Sequence, residues 1–397
     1  MASRRTLSRP LGATNKVNAT PLLSPRAPEM PPDRAVPRTL EADTSRATLP
    51  ATMKTIVRER YGSAEVLELK DIPVPHVGAG EVLVRVAAAG LGRGVWHLMR
   101  GRPYLARLAY GIRKPKNAQL GLELAGTVAR VGEGVVGFAP GDRVFGFARG
   151  AFAEYAAARA DKLAHLPEGI PFEVAAAVPD SGVTALQALR DHGRVRPGER
   201  VLVLGASGGV GTFAVPLAKH FGATVTGAAS AAKLDLVREL GADDVRDYAE
   251  TDLGGPYDLV LAVGGSLPLG QLRRLLAERG TLVIVGGESR TMMRRLLGAA
   301  LKAPFVRRRR IVTLVASENR RDLATLLGLL SAGALRPTLD SVRPITRLPE
   351  AMRDLEAGRV CGKVILEVAP PSAAAPHSHS PAHTAPRTAP ADPSAGP

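Results

Sequence analysis

Cysteine is almost absent from this chain, which has 397 residues and a single thiol at Cys361. One cysteine excludes an intrachain disulfide and a zinc site made of four thiolates. Stability must therefore come from buried apolar surface, and 45% hydrophobic against 23% charged residues is an ordinary balance for a globular protein. The length is sufficient for two domains.

Long apolar runs are missing as well. No stretch of about 18 apolar residues occurs, so the sequence predicts no transmembrane helix. The first residues lack the apolar segment of a secretory signal, and their prolines interrupt the amphipathic helix of a transit peptide. We therefore expect a cytoplasmic protein.

Proline marks the two ends of the chain. Sixteen of the 32 prolines fall within the 81 residues of segments 1–52 and 369–397. Such segments bury too little apolar surface to offset the entropy lost on ordering. We predict a disordered N-terminal extension over residues 1–52 and a disordered tail over residues 369–397.

Acidic residues are outnumbered, with 37 Asp and Glu against 53 Lys and Arg and a formal charge of +16. A basic surface favours anionic partners, although it also serves solubility alone. The excess is densest in residues 288–321, where the apolar and basic stretch 292–305 precedes four consecutive arginines at 307–310. Weak contact with an anionic membrane is one interpretation, and a helix with a solvated basic end is the other. Nucleic acid is not expected, because interleaved aromatic residues are lacking.

The pattern of apolar residues changes near the middle of the chain. Short strands broken by glycines predict an antiparallel, partly barrelled β domain over residues 53–177. Repeated strand-helix units then predict a doubly wound parallel sheet over residues 178–334. A final strand over residues 363–368 is expected to return to the first domain, so that residues 335–368 complete it. The fold class is therefore α/β.

A glycine-rich turn, Gly-Ala-Ser-Gly-Gly-Val-Gly, joins the apolar strand predicted over Arg200–Leu204 to an apolar helix. Glycines permit the sharp turn and allow backbone amides to approach a pyrophosphate, and the start of the helix adds unpaired N–H groups. The context predicts a dinucleotide site. Its residues are Gly205, Ser207, Gly208, Gly209, Val210 and Gly211.

The end of the next strand bears on the choice between NADH and NADPH. NAD-dependent folds place an acidic residue there to bind the ribose 2′-hydroxyl. Residues 227–233 contain no acid, whereas Ser230 and Lys233 offer a hydroxyl and a cation to a 2′-phosphate. NADPH is the expected cofactor, with a solvated lysine at a helix start as the other interpretation of Lys233.

Several short motifs together resemble the medium-chain dehydrogenase/reductase superfamily, in its zinc-free quinone oxidoreductase branch. They lie at residues 121–128, 140–144, 151–155, 205–211, 240–243 and 362–364. The resemblance spans residues 53–368 and implies a GroES-like catalytic domain, a Rossmann NADPH-binding domain and a homodimer. It also implies cofactor contacts beyond the glycine turn. Tyr248 would flank the 2′-phosphate, Lys363 would lie near the cofactor, and the nicotinamide side would be lined by Thr184, Val263, Gly264, Val285 and Gly286.

The resemblance also implies that catalytic zinc is absent. Zinc-dependent members place their metal ligands at positions that match Gly92, Leu122 and Asp180 here, and a lone carboxylate cannot hold zinc. The zinc-free branch carries Asn at the position of Gly92 and an acid near Val95. This chain lacks both and adds the carboxyl group of Asp180.

The function expected is hydride transfer from NADPH to an enone, a quinone or a related electrophilic carbonyl compound, without zinc. Tyr104, His97 and Asp180 are candidates for the proton donor. The other interpretations are a loop tyrosine, a packing histidine and a helix cap, with water as the donor. The alternative function is a non-catalytic NADPH-binding protein whose basic surface contacts membrane or RNA.

Overall fold

The computed structural model describes residues 49–250, 252–265, 267–285 and 309–368. The predicted tail, almost all of the predicted N-terminal extension, Gly286 and most of the basic stretch 288–321 lie outside these ranges. The domain boundaries predicted above stay predictions. None of the helices in the described ranges is both long and apolar enough to cross a membrane.

Consecutive strands dominate the first part of the described chain, and strands and helices alternate in the second part. The strands are β1 (Thr52–Val57), β2 (Glu68–Pro73), β3 (Glu81–Leu91), β4 (Glu123–Val131), β5 (Arg143–Phe147), β6 (Tyr155–Arg159), β7 (Leu163–His165), β8 (Arg200–Leu204), β9 (Thr224–Ala229), β10 (Asp244–Asp247), β11 (Tyr257–Ala262), β12 (Leu276–Ile284), β13 (Arg310–Thr313), β14 (Leu339–Pro344) and β15 (Lys363–Glu367). The α-helices are α1 (Arg93–Arg100), α2 (Arg107–Tyr110), α3 (Phe172–Ala176), α4 (Pro179–Gln187), α5 (Gly211–His220), α6 (Leu234–Glu239), α7 (Leu269–Arg274), α8 (Arg320–Ser331) and α9 (Leu348–Glu356).

The second half of the chain forms a six-stranded parallel sheet in the order β10-β9-β8-β11-β12-β13. Its central strand β8 is buried from Val201 to Leu204, as expected for a strand covered by helices on both faces. The strand order reverses between β8 and β11, because the chain builds outward from β8 first on one side and then on the other. This order confirms the predicted doubly wound sheet.

The first half of the chain and the C-terminal strands β14 and β15 form a mostly antiparallel sheet with the path β14-β15-β3-β4-β5-β7, and β6 pairs with β3 beside it. The last strand, β15, pairs antiparallel with β3, placing Ile365 opposite Gly90. The chain therefore returns to its first sheet after completing the parallel one. The hairpin of β1 and β2 forms a separate pair of strands.

The two sheets share buried apolar contacts. One continuous cluster contains Ala88 and Phe145 from the antiparallel sheet together with Val203 and Phe213 from the parallel part. Helix α4 lies at this junction, because it packs against α5 and α8 and also contacts β4 and β5. Residues at the start of α4 are therefore held between the two halves.

Candidate functional site

The glycine turn connects β8 to α5 through a backbone that tolerates no side chain at two positions. Gly205 has φ +87°, a conformation that other residues rarely adopt. A Cβ atom at Gly211 would lie 2.1 Å from the Gly205 carbonyl oxygen. The turn is therefore tightly closed, and it leads directly into the start of α5, an end of a helix that favours anions.

Other predicted cofactor residues meet the turn at the same edge of the parallel sheet. Ser230 follows β9, Val263 and Gly264 follow β11, and Val285 follows β12. The carboxyl ends of parallel strands share one edge, and a ligand crevice opens where the strand order reverses. The Gly264 N–H donates to the Leu204 carbonyl at 3.1 Å, which closes the β8–β11 side of this crevice.

Tyr248 covers the base of the turn. A Cβ atom on Gly205 would lie 3.4 Å from the Tyr248 hydroxyl oxygen, and one on Gly264 would lie 3.9 Å from it. Burial raises the pKa of Tyr248 to about 12. The phenol therefore stays protonated at neutral pH and is able to donate a hydrogen bond into the crevice.

Lys233 binds two backbone carbonyl groups. Its Nζ donates to the Gly358 oxygen at 2.6 Å and to the Val360 oxygen at 2.9 Å. Ser230 is exposed and stands immediately before the short 3-10 helix Ala231–Lys233. Ser230 and Lys233 lie close together, and Lys233 also binds the segment that precedes β15.

That segment is attached directly to the glycine turn. The Gly362 N–H donates to the Ser207 oxygen at 2.9 Å, and Gly208 pairs with Gly362 as an isolated bridge. Lys363 runs beneath the turn, since a Cβ atom on Gly209 would lie 3.3 Å from its Cδ. Lys363 therefore joins the cofactor edge to the antiparallel sheet.

A buried charged cluster lies at the far end of the Lys363 side chain. Lys363 Nζ donates to Glu123 Oε1, and both residues are only 1% exposed. Glu123 Oε2 accepts the Asp180 backbone N–H at 2.8 Å. A Cβ atom on Gly92 would lie 2.7 Å from Asp180 Oδ2 and 3.5 Å from Lys363 Nζ. Two carboxyl groups and one ammonium group thus share one site.

This environment changes the acidity of both carboxyl groups. Burial raises the pKa of Glu123 to about 7, against the opposing attraction of Lys363. Burial also raises the pKa of Asp180, although Lys363 lowers it in part. The Asp180 residue keeps some solvent exposure despite its deep position. A raised pKa is a feature of carboxyl groups that serve as proton donors.

Asp180 lies in the first turn of α4 but does not cap it. The N-cap position is Val178, with no side-chain hydrogen bond to the helix start. Thr184 follows one turn later on the same helix face and is 8% exposed. The helix therefore presents Asp180 and Thr184 together at the junction of the two sheets.

The other two candidate proton donors lie elsewhere. The His97 Nδ1 atom lies 3.1 Å from the Arg102 carbonyl oxygen, and burial lowers the pKa of the imidazole. Tyr104 is 63% exposed, with the guanidinium groups of Arg102 and Arg107 over its ring. Contacts among the described residues join only Asp180, of the three, to the buried cluster beneath the glycine turn.

Glu123 is the site residue that the sequence reasoning missed. It stands inside the motif at residues 121–128, but no role was assigned to it. Its signal is a carboxyl group directly before the buried apolar residues 124–126 at the start of β4. A charge in such a strand needs a buried partner, and Lys363 supplies it.

Comparison with known proteins gives consistent matches over this architecture. The alcohol dehydrogenase GroES-like domain family matches residues 78–168, and the zinc-binding dehydrogenase family matches residues 240–366. A chloroplastic quinone-oxidoreductase from Triphysaria versicolor is 30% identical over 334 residues, which cover 79% of this chain and 98% of that protein. The chain also aligns with part of a polyketide synthase protein from Streptomyces orinoci, of which it spans 14%.

Solved structures agree with the sequence matches. The quinone oxidoreductase from Coxiella burnetii superposes with a TM-score of 0.71 at 30% identity, covering 80% of this chain and 100% of that one. A mycobacterial protein complexed with NADPH has a TM-score of 0.66 at 27% identity, with 80% and 100% coverage. The chain therefore belongs to the medium-chain dehydrogenase/reductase superfamily, in its quinone-oxidoreductase-like branch, and its relatives are oxidoreductases.

Proposed function

We propose that this protein is an NADPH-dependent reductase of enones, quinones or related electrophilic carbonyl compounds, and that it works without zinc. The observation that carries the proposal is the position of Asp180. Its carboxyl group lies beside Gly92, and its backbone N–H donates to Glu123, whose other carboxyl oxygen accepts from Lys363 beneath the glycine turn. In this proposal the Asp180 carboxyl group lies beside the nicotinamide and supplies the proton.

Reduced nicotinamide supplies a hydride, which an electron-poor carbon of the substrate accepts. We assign Asp180, whose pKa is raised by burial, as the group that donates a proton to the substrate oxygen as negative charge develops there. The substrate thus gains one hydride and one proton. The Asp180 carboxylate then takes a proton from water, which reaches it because the residue is partly exposed.

The chain's own residues fit the dinucleotide. Gly205 shapes a turn whose backbone N–H groups would bind the pyrophosphate, and Ser230 and Lys233 after β9 would bind the 2′-phosphate. The β9 end lacks the carboxylate that would repel this phosphate. The mycobacterial relative complexed with NADPH supports the same preference.

Catalytic zinc does not fit the residues present. Gly92 has no side chain and Leu122 has no donor atom, so Asp180 is the lone ligand type among the three matching positions. Within the described ranges, no group of three or more His, Cys, Asp or Glu is arranged to hold a metal ion. The proposed reaction therefore involves no metal-bound step.

NADPH consumption with a panel of enones and quinones tests the proposal. Asp180→Asn should lower kcat about 100-fold and remove the decline in rate at high pH, because it eliminates the general acid. NADPH affinity should stay within a factor of two or so of the wild type, since Asp180 contacts no cofactor phosphate in this account. Asp235→Asn removes a carboxyl group that is 91% exposed and serves as the matched control.

Two outcomes would contradict the proposal. Turnover that is unchanged by Asp180→Asn would show that water or another group supplies the proton. Saturable NADPH binding without turnover of any substrate in the panel would favour the non-catalytic alternative.

A further inference from the structure

The segment between α1 and β4 exposes more large apolar side chains than any other described part of the chain. We call residues 102–116 the surface loop. It contains the short helix α2 and a preceding 3-10 turn. Its exposed apolar residues are Tyr104 (63%), Leu105 (63%), Leu108 (67%), Tyr110 (48%) and Ile112 (66%). An apolar cluster of this kind on a protein surface marks a site of interaction.

The surface loop is also cationic. Its exposed residues include Arg102 and Arg113, followed by Lys114 and Lys116. Residues 101–122 contain no Asp or Glu. Apolar and tyrosyl side chains surrounded by cations are the composition of a peripheral membrane contact, because the aromatic and aliphatic groups enter the headgroup region while the cations face anionic lipid.

The loop is held in place from below. The Arg107 guanidinium donates to the Gly101 oxygen at 2.9 Å and lies over the Tyr61 ring at 4.3 Å. The Tyr61 hydroxyl donates to the Gly111 oxygen at 2.7 Å. The inward contacts of the loop are thus made by an arginine and by backbone groups. Its leucines, tyrosines and isoleucine remain exposed beside these contacts.

We propose that the surface loop docks this protein on an anionic lipid bilayer. An apolar patch is most often covered by a second copy of the protein or by a lipid surface, and the positive charge of the loop distinguishes the two. A second copy would bring two sets of like charges together without an intervening carboxylate from this loop. An anionic bilayer supplies opposite charge and an apolar interior at once. The proposal does not depend on the reaction proposed above.

Flotation of the full-length protein with vesicles tests the proposal. The probes are phosphatidylcholine vesicles with and without phosphatidylserine. We expect binding to the anionic vesicles that weakens as salt is added, since salt screens the charges. Leu105→Glu combined with Leu108→Glu should reduce this binding at least tenfold or so, and Lys114→Ala or Lys116→Ala should reduce it about fivefold each.

Val136→Glu combined with Val315→Glu is the matched control. These valines are 87% and 89% exposed, and their replacement makes the same change in charge outside the loop. The control should bind vesicles nearly as well as the wild type. Circular dichroism and NADPH affinity should be unchanged in both double variants, because all four positions are on the surface.

Three results would overturn the proposal. Vesicle binding that survives the loop substitutions would place the membrane contact elsewhere. A dimer that Leu105→Glu and Leu108→Glu dissociate, with no vesicle binding by the wild type, would identify a second copy as the occupant. A change only in KM for a water-soluble enone would make the loop part of the substrate pocket.

Discussion

The Lys363 ammonium group is almost completely buried, and the free energy cost of burying it is offset by the carboxyl group of Glu123. Its Nζ donates to Glu123, and both side chains are 1% exposed. Burying a charge is unfavourable unless a partner compensates for lost hydration. The pair is therefore sensitive to the loss of either member, although it adds little net stability relative to an apolar pair.

Glu123→Gln should lower the free energy of unfolding by about 3–5 kcal/mol, because it leaves the buried ammonium group without its counter-charge. Adding Lys363→Met should restore most of the loss, since the double variant buries no uncompensated charge. Urea unfolding at pH 8, where the carboxyl group is ionised, measures both. Equal instability of the single and double variants would show that the residues act independently.

The sequence does not reveal this pair, for a physical reason. Glu123 and Lys363 are separated by 240 positions, and no periodicity connects them. The same holds for Lys233, whose carbonyl partners lie 125 and 127 positions away. Residue types at a glycine turn identify a nucleotide site locally, whereas the charge balance beneath it depends on how distant segments pack.

At the scale of elements, the turn between β8 and α5 contains one glycine that folding requires and another that matters mainly for binding the cofactor. A Cβ atom on Gly211 would collide with the Gly205 oxygen at 2.1 Å, so this glycine is required for the fold. A Cβ atom on Gly208 would meet nothing closer than that oxygen at 3.4 Å. The fold therefore tolerates a side chain at Gly208 better than at Gly211. A bound pyrophosphate would still require Gly208, because it approaches the backbone there.

Gly208→Ala should leave the melting temperature nearly unchanged and weaken NADPH binding about tenfold or more, because the methyl group occupies the approach of the pyrophosphate. Fluorescence titration of the cofactor and thermal unfolding measure the two effects. Gly328→Ala is the control, since nothing lies within 4 Å of its Cβ position in α8. Normal NADPH affinity in Gly208→Ala would remove the turn from the binding site.

Elements with a strong apolar pattern were predictable. Strand β8 has the bounds that the sequence predicts, because it is a buried apolar run. The short strand β10 was not foreseen. It has four residues, none of them fully buried, and it forms by pairing with β9 rather than through its own pattern.

At the scale of the molecule, the return of β15 to β3 makes the cofactor edge and the buried cluster parts of one structure. Gly362 bonds to the glycine turn, and Lys363 reaches Glu123 in the first sheet. The predicted final strand already suggested this return. What the sequence could not show is that one residue, Lys363, connects the two sites.

Calorimetric titration of NADPH and NADH into the wild type and Lys233→Ala tests the cofactor site most directly. We expect saturable binding of one nicotinamide dinucleotide per chain, with NADPH at least tenfold or so tighter in the wild type because its 2′-phosphate meets a cation. Lys233→Ala should lose most of that preference. Equal losses for both cofactors would give Lys233 only its structural role beside Gly358. If neither NADPH nor NADH binds, the assignment of the glycine turn is contradicted, and with it the proposed reduction chemistry.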